Sequence, residues 1–179
     1  MSRFQPIVLA ALLAALPLSG CALKGGGASA GHELKALLPE NGEVQGFDRD
    51  GEASLGQGLS GLAAIMDGAA DAYVKLSAEA GMFQDYTGPD DPRRLVTVGV
   101  FQAADAGGLY RGIYSGRAEP APGLGEEARS RLELFAATAL DFHQGPYYIE
   151  LYANRGGPEA SETLRAFAET ISRRIRALP

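Results

Sequence analysis

Two stretches of the chain carry a helical apolar period. From Leu59 to Leu76, the residues Leu59, Leu62, Met66, Ala69, Tyr73 and Leu76 recur every three or four positions and share one face. Asp67, Asp71 and Lys75 fall together on another face. Gly68 inside this helix costs roughly 1 kcal/mol relative to Ala, so it points to close packing by another element. From Pro158 to Leu178, the stripe is Leu164, Phe167, Ala168, Ile171 and Ile175. Pro158 suits a first turn, and Glu159 and Glu162 complement the positive end of the helix dipole. Arg173, Arg174 and Arg176 complement the negative end, which reads as a solvated terminus rather than an anion site.

A period of two marks the strands. Gly81 to Tyr86 and Leu95 to Gln102 flank a Gly-Pro-Asp-Asp-Pro turn, as two antiparallel strands do. Val96, Val98 and Val100 share the face expected to meet the core. Thr138 to His143 and Tyr147 to Ala153 form a hairpin around Gln144-Gly145. Tyr147, Ile149 and Leu151 alternate there with Tyr148, Glu150 and Tyr152. Ala104 to Tyr114 reads as a glycine-weakened helix. Glu126 to Ala137 fits helix or strand, with a strand favoured from Leu132. Leu34 to Leu38 is a short turn or half-helix and Glu43 to Phe47 a brief strand. Asp48 to Gly58 and Glu119 to Gly125 read as loops. The expected fold is therefore α+β, a single domain over residues 32–179. An antiparallel sheet of about four to five strands is covered on one face by about three helices.

The first twenty residues change the picture. Arg3, the apolar run Ile7 to Leu16 and the small residues Ser19 and Gly20 have the three parts of a secretory signal. The run is too short for a bilayer core of roughly 30 Å, which takes about 20 helical residues. Leu18-Ser19-Gly20-Cys21 resembles the bacterial lipoprotein signal, and Cys21 is the chain's single cysteine. The resemblance implies cleavage before Cys21 and lipid on its sulfur, which makes the membrane the first partner. Ala22, where an Asp resembles an inner-membrane retention signal, implies the outer membrane if there are two. Residues 21–31, with Gly25 to Gly31, read as the lipidated cysteine and a flexible tether.

Composition mainly excludes. The net charge of −6 offers no basic footprint for nucleic acid. Gly56-Gln57-Gly58-Leu59-Ser60-Gly61 matches G-x-G-x-x-G, but it lacks the buried strand and parallel βαβ unit of a dinucleotide site. No Cys/His spacing suits a metal, and Asp67 with Asp71 supplies too few oxygens for Ca²⁺. No cofactor is expected. Asp141 and His143 share a strand face, and such a pair can orient an imidazole as a base. No nucleophile can be assigned beside them. The aromatic strand offers another surface: Tyr148, Glu150 and Tyr152, with Asp71, could meet a small ligand or an envelope protein.

Several segments resemble the bacterial family called domain-of-unknown-function 6599. They are Leu37-Leu38-Pro39, Asp67-Gly68-Ala69-Ala70-Asp71-Ala72-Tyr73, the strand Val96 to Phe101, Gly112-Ile113-Tyr114-Ser115-Gly116-Arg117 and Gly145-Pro146-Tyr147-Tyr148. Leu109-Tyr110-Arg111 stands where that family usually has Asp-Ala-Phe. The resemblance implies an exported α+β domain and transfers no catalytic residue. The function expected is a lipid-anchored envelope protein with a binding or scaffold domain. The alternative is an envelope hydrolase using His143 and Asp141.

Overall fold

Val96, Val98 and Val100 lie at the centre of the molecule, at most 2% exposed. The computed structural model describes residues 26–88, 90–132 and 137–179. In chain order its elements are α1 (Gly26–Leu37), β1 (Asp48–Gln57), α2 (Gly58–Ile65), α3 (Ala70–Lys75), β2 (Ala78–Gly88) and β3 (Asp91–Ala103). Then follow α4 (Ala106–Ile113), β4 (Glu119–Pro120), β5 (Glu127–Leu132), β6 (Thr138–Gln144), β7 (Tyr147–Ala153) and α5 (Pro158–Arg176). The strands form one antiparallel sheet in the order β1-β2-β3-β7-β6-β5-β4. Both expected hairpins are present, β2–β3 with Met82 opposite Val100 and β6–β7 with Phe142 opposite Ile149.

The class is α+β as expected, but the sheet is larger and helices cover both of its faces. On one face Leu34, Leu37 and Leu38 and the α5 stripe pack on the valines, Ile149, Leu151 and Phe142. Phe167 of α5 meets Phe47 and Tyr86 edge-on, with ring centroids 5.5 and 4.9 Å away. On the other face, α2, α3 and α4 bring Leu62, Tyr73, Leu109 and Tyr110 onto Phe101 and Tyr148. Period-two strands with both sets of side chains apolar signal such a three-layer arrangement.

The extra strands come from segments with little apolar signal. β1 occupies the stretch expected to be a loop. It is an edge strand, largely exposed, and it pairs with β2 through a register shift between Asp50 and Ser54. Buried Gln84 serves this bulge by donating from Nε2 to the carbonyl oxygens of Asp50 and Gly51. β5 begins at Glu127, earlier than expected, and β4 adds a two-residue strand inside the expected 119–125 loop. Residues 43–47 are turns rather than a strand, with Phe47 N–H donating to the Val44 carbonyl.

The helix expected over 59–76 is two helices. The chain leaves helical geometry at Met66 and re-enters at Ala70, with Gly68 at φ +73° between them. A Cβ on Gly68 would meet nothing within 4 Å. Its role is therefore left-handed backbone and not close packing. Leu62, Met66 and Tyr73 of the expected stripe reach one core, but Leu59 and Ala69 are exposed and Ala70 packs inward, because the break re-aims the second helix over the sheet. The G-x-G-x-x-G glycines also have a packing role: a Cβ on Gly56 would lie 2.5 Å from the Gly61 carbonyl oxygen. Strand β1 does lead into them, but the sheet around them is antiparallel. Finally, α1 begins at Gly26, inside the expected tether, and runs as helix through Leu34 and Leu37, which it docks in the core.

Candidate functional site

Strands β5, β6 and β7 place alternate side chains beneath α3 and α4. Register sets two rows across the sheet. One is Arg129, Asp141, Glu150 and Gly99; the next is Glu127, His143, Tyr148 and Phe101. The first row is an ion-pair network closed at its far end by Arg131. Asp141, with no exposed surface, accepts from Arg129 Nε at 2.6 Å and Arg131 Nε at 2.7 Å. Arg131 Nη2 donates to Glu150 Oε1 at 2.9 Å, and Tyr73 Oη donates to Glu150 Oε2 at 2.7 Å. The guanidinium of Arg129 lies 4.3 Å from the Tyr110 ring centroid, and that of Arg131 lies 4.4 Å from the Tyr114 centroid.

The electrostatics follow from burial. Burial works against the Arg131 charge, but Asp141 and Glu150 outweigh it and hold the group above the usual guanidinium range. Burial and then the Glu150 charge push the Tyr73 hydroxyl well above an ordinary phenol. The same two causes raise Tyr148. Two carboxylates face two guanidiniums, so the network is charge-balanced. It fixes the β5–β6–β7 face and leaves Asp141 without a free oxygen for His143.

The second row opens to solvent at its polar end. A cavity of about 400 Å³ is bordered by Asp105, Gly107, Arg111, Glu126, Glu127 and His143. Most of its polar groups already hold local structure. Asp105 caps α4 by accepting from Gly108 N–H at 2.7 Å. Glu126 accepts from Gly145 N–H at 2.9 Å, bracing the β6–β7 turn. Arg111 reaches Glu127 at 2.8 Å. His143 is different. It is 5% exposed, with Nδ1 3.5 Å from Glu126 and Nε2 3.6 Å from Glu127. Its Nε2 has no hydrogen-bond partner, and neither has Tyr148 Oη directly opposite on β7. Buried polar atoms without partners are rare enough that each calls for a reason.

The residues expected to form a surface do not do so. Tyr148 is fully buried, with the rings of Tyr73, Phe101 and Tyr110 at 6.4, 5.9 and 6.5 Å. The cause is the second helical layer, absent from the one-faced expectation. Glu150 is committed to Arg131 and Tyr73. Tyr152 is 38% exposed, and Asp71 stands on the outer side of α3. The Asp141–His143 pair is not formed either, since the ring nitrogens of His143 face Glu126 and Glu127. Cys21 lies outside the described residues. Sequence reasoning missed Arg111, Glu126, Glu127, Arg129 and Arg131. The alternation Glu127-x-Arg129-x-Arg131 against Asp141-x-His143 was the available signal. Among the described residues no cluster of His, Cys, Asp and Glu suits a metal ion, and no helix is long and apolar enough to cross a membrane.

No family model matches the chain, and no curated protein does. Among solved structures it is similar to the extracellular domain of PknH from Mycobacterium tuberculosis. The TM-score is 0.52 at 9% identity, over 79% of this chain and 96% of that one. At that identity the likeness concerns the fold.

Proposed function

We propose that the chain is an envelope lipoprotein, anchored through lipid on Cys21, whose domain binds a small cationic ligand in the His143 cavity. The observation that carries the binding role is His143 Nε2, buried and unpartnered at the cavity wall. Both ring nitrogens face carboxylates, Nδ1 at 3.5 Å from Glu126 and Nε2 at 3.6 Å from Glu127. Three carboxylates against one guanidinium leave acceptors in excess, so an ammonium donor suits the cavity. The lipobox supports the anchor, and the resemblance to domain-of-unknown-function 6599 supports export. The fold shared with an extracellular domain is consistent with an envelope location.

The test of binding is an amide NMR titration of the protein with ethylamine. Shifts centred on Gly107, Glu126, His143 and Gly145, and absent in His143→Phe, are expected. A uniform or absent response would remove the binding role. The anchor is tested separately: Cys21→Ser releases the folded chain to the soluble fraction or leaves an uncleaved precursor. Lipid labelling that persists in that variant would defeat the anchor. A hydrolase would have to orient His143 through Glu126 or Glu127, because Asp141 is held by the two arginines.

A further inference from the structure

From Ala53 to Met66 the chain carries no charged residue, although it runs along the molecular surface. This stretch is the second half of edge strand β1 and the whole of α2. Leu55 and Leu59 are 42% and 49% exposed, two of the three large exposed hydrophobics among the described residues. Ala63 and Ala64 extend the same uncharged surface along α2. On a domain of net charge −6 this edge is uncharged, with exposed Leu55 on the α1 side of the sheet and exposed Leu59 on the α2 side.

Its place in the fold identifies what covers it. α1 passes beside Leu55, so closely that a Cβ on Gly31 would lie 2.8 Å from Leu55 Cδ2. Upstream of Gly31 the chain leads to Cys21. Five helical steps of about 1.5 Å and five extended steps of about 3.6 Å limit that path to roughly 25 Å. The sheet alone, from β1 to β4, spans six strand spacings of about 4.8 Å, which is a greater distance. A lipid on Cys21 therefore cannot present every side of the domain to the bilayer equally. The β1 edge then lies nearer the anchor than the β4 edge.

We infer that the Leu55–Leu59 patch on β1 and α2 rests in the interfacial region of the bilayer that carries the anchor. This rests on the lipid-anchor reading of Cys21. Apolar side chains on a short surface helix add to lipid binding by burying area at the headgroup–acyl boundary. The absence of charge spares the acidic domain a repulsive contact with anionic headgroups.

The experiment uses the lipidated full chain in phosphatidylcholine–phosphatidylglycerol vesicles whose acyl chains carry bromine. The Cys21 sulfur is blocked by lipid, so an introduced cysteine is the sole free thiol for a fluorophore. Ala63→Cys reports the patch with both leucines intact, and Glu119→Cys on β4 reports the opposite edge. Brominated chains should quench the label at 63 by at least about twofold and leave that at 119 unchanged. Adding Leu55→Gln and Leu59→Gln to Ala63→Cys should abolish the quenching. A chain that floats with the vesicles yet shows no quenching at 63, or equal quenching at both positions, overturns the docking face. The same result would follow if the patch met a protein partner instead. A chain that carries no lipid on Cys21 and does not float overturns the anchor and the docking face together.

Discussion

The two faces of the sheet are both covered by helices, but different forces hold them. The α1–α5 face is packed almost wholly by apolar groups around Val98, Val100 and Phe167. The α2–α4 face is aromatic at its centre and ionic toward β5, where Arg129, Arg131, Asp141 and Glu150 are packed among tyrosines. Apolar burial is non-directional and tolerates small shifts, whereas a buried ion pair is stable only with every member in place. The first face can supply cohesion; the second supplies specificity and carries the cavity.

Substitutions on the two faces should separate these roles. Phe167→Ala removes a fully buried ring and should cost about 4 kcal/mol in urea unfolding, by loss of burial plus a cavity. Asp141→Asn keeps shape but leaves two guanidiniums short of charge, and should cost about 3 kcal/mol. The comparison breaks if Asp141→Asn is neutral while the apolar triple Arg129→Met/Arg131→Met/Asp141→Leu is damaging. Gly68→Ala should cost about 1.5 kcal/mol from left-handed backbone alone, with Gly68→Asn milder. Were Gly68 a packing residue, both would cost more. Tyr86→Phe should cost about 1 kcal/mol through its hydrogen bond to the Pro39 carbonyl.

That last variant also tests pH dependence. Burial raises the Tyr86 hydroxyl to about 12, against the opposing Arg49 charge. The folded value exceeds the unfolded one of about 10, so the contribution is intact below pH ~10 and fades as pH rises to about 12. Tyr86→Phe should flatten part of the alkaline decline in urea midpoint. Tyr73, Tyr148 and Tyr110 on the ionic face contribute to the remaining slope, their hydroxyls raised first by burial and, for Tyr73 and Tyr148, next by Glu150.

The same contrast explains what could be read from the sequence. The valine strand, the β6–β7 hairpin and α5 announce themselves because each exposes a periodic apolar stripe to one core. β1 does not, because an edge strand wet on most of its surface needs backbone pairing rather than alternation. Of the 59–76 stripe, Leu62, Met66 and Tyr73 reach the core while Leu59 and Ala69 are exposed, because the left-handed Gly68 breaks the helical period and brings Ala70 inward in place of Ala69. The ionic face is hidden in the sequence for a related reason. Glu127, Arg129 and Arg131 look like solvent residues until register sets them opposite His143 and Asp141. Tyr148 looked available because nothing in its own strand announces the helices laid over it.

α1 is clasped more firmly than its length suggests. Arg174 of α5 donates to the Ala36 carbonyl at 2.7 Å and pairs with Glu43, while Tyr147 of β7 donates to Glu33. A pull on the segment before Gly26 therefore enters the domain as shear along α1. It is shared at once by the last helix and the central sheet, so the fold resists as a unit instead of peeling from its first residues. Weakening that clasp, as Arg174→Ala would, should lower the force at which the domain first yields.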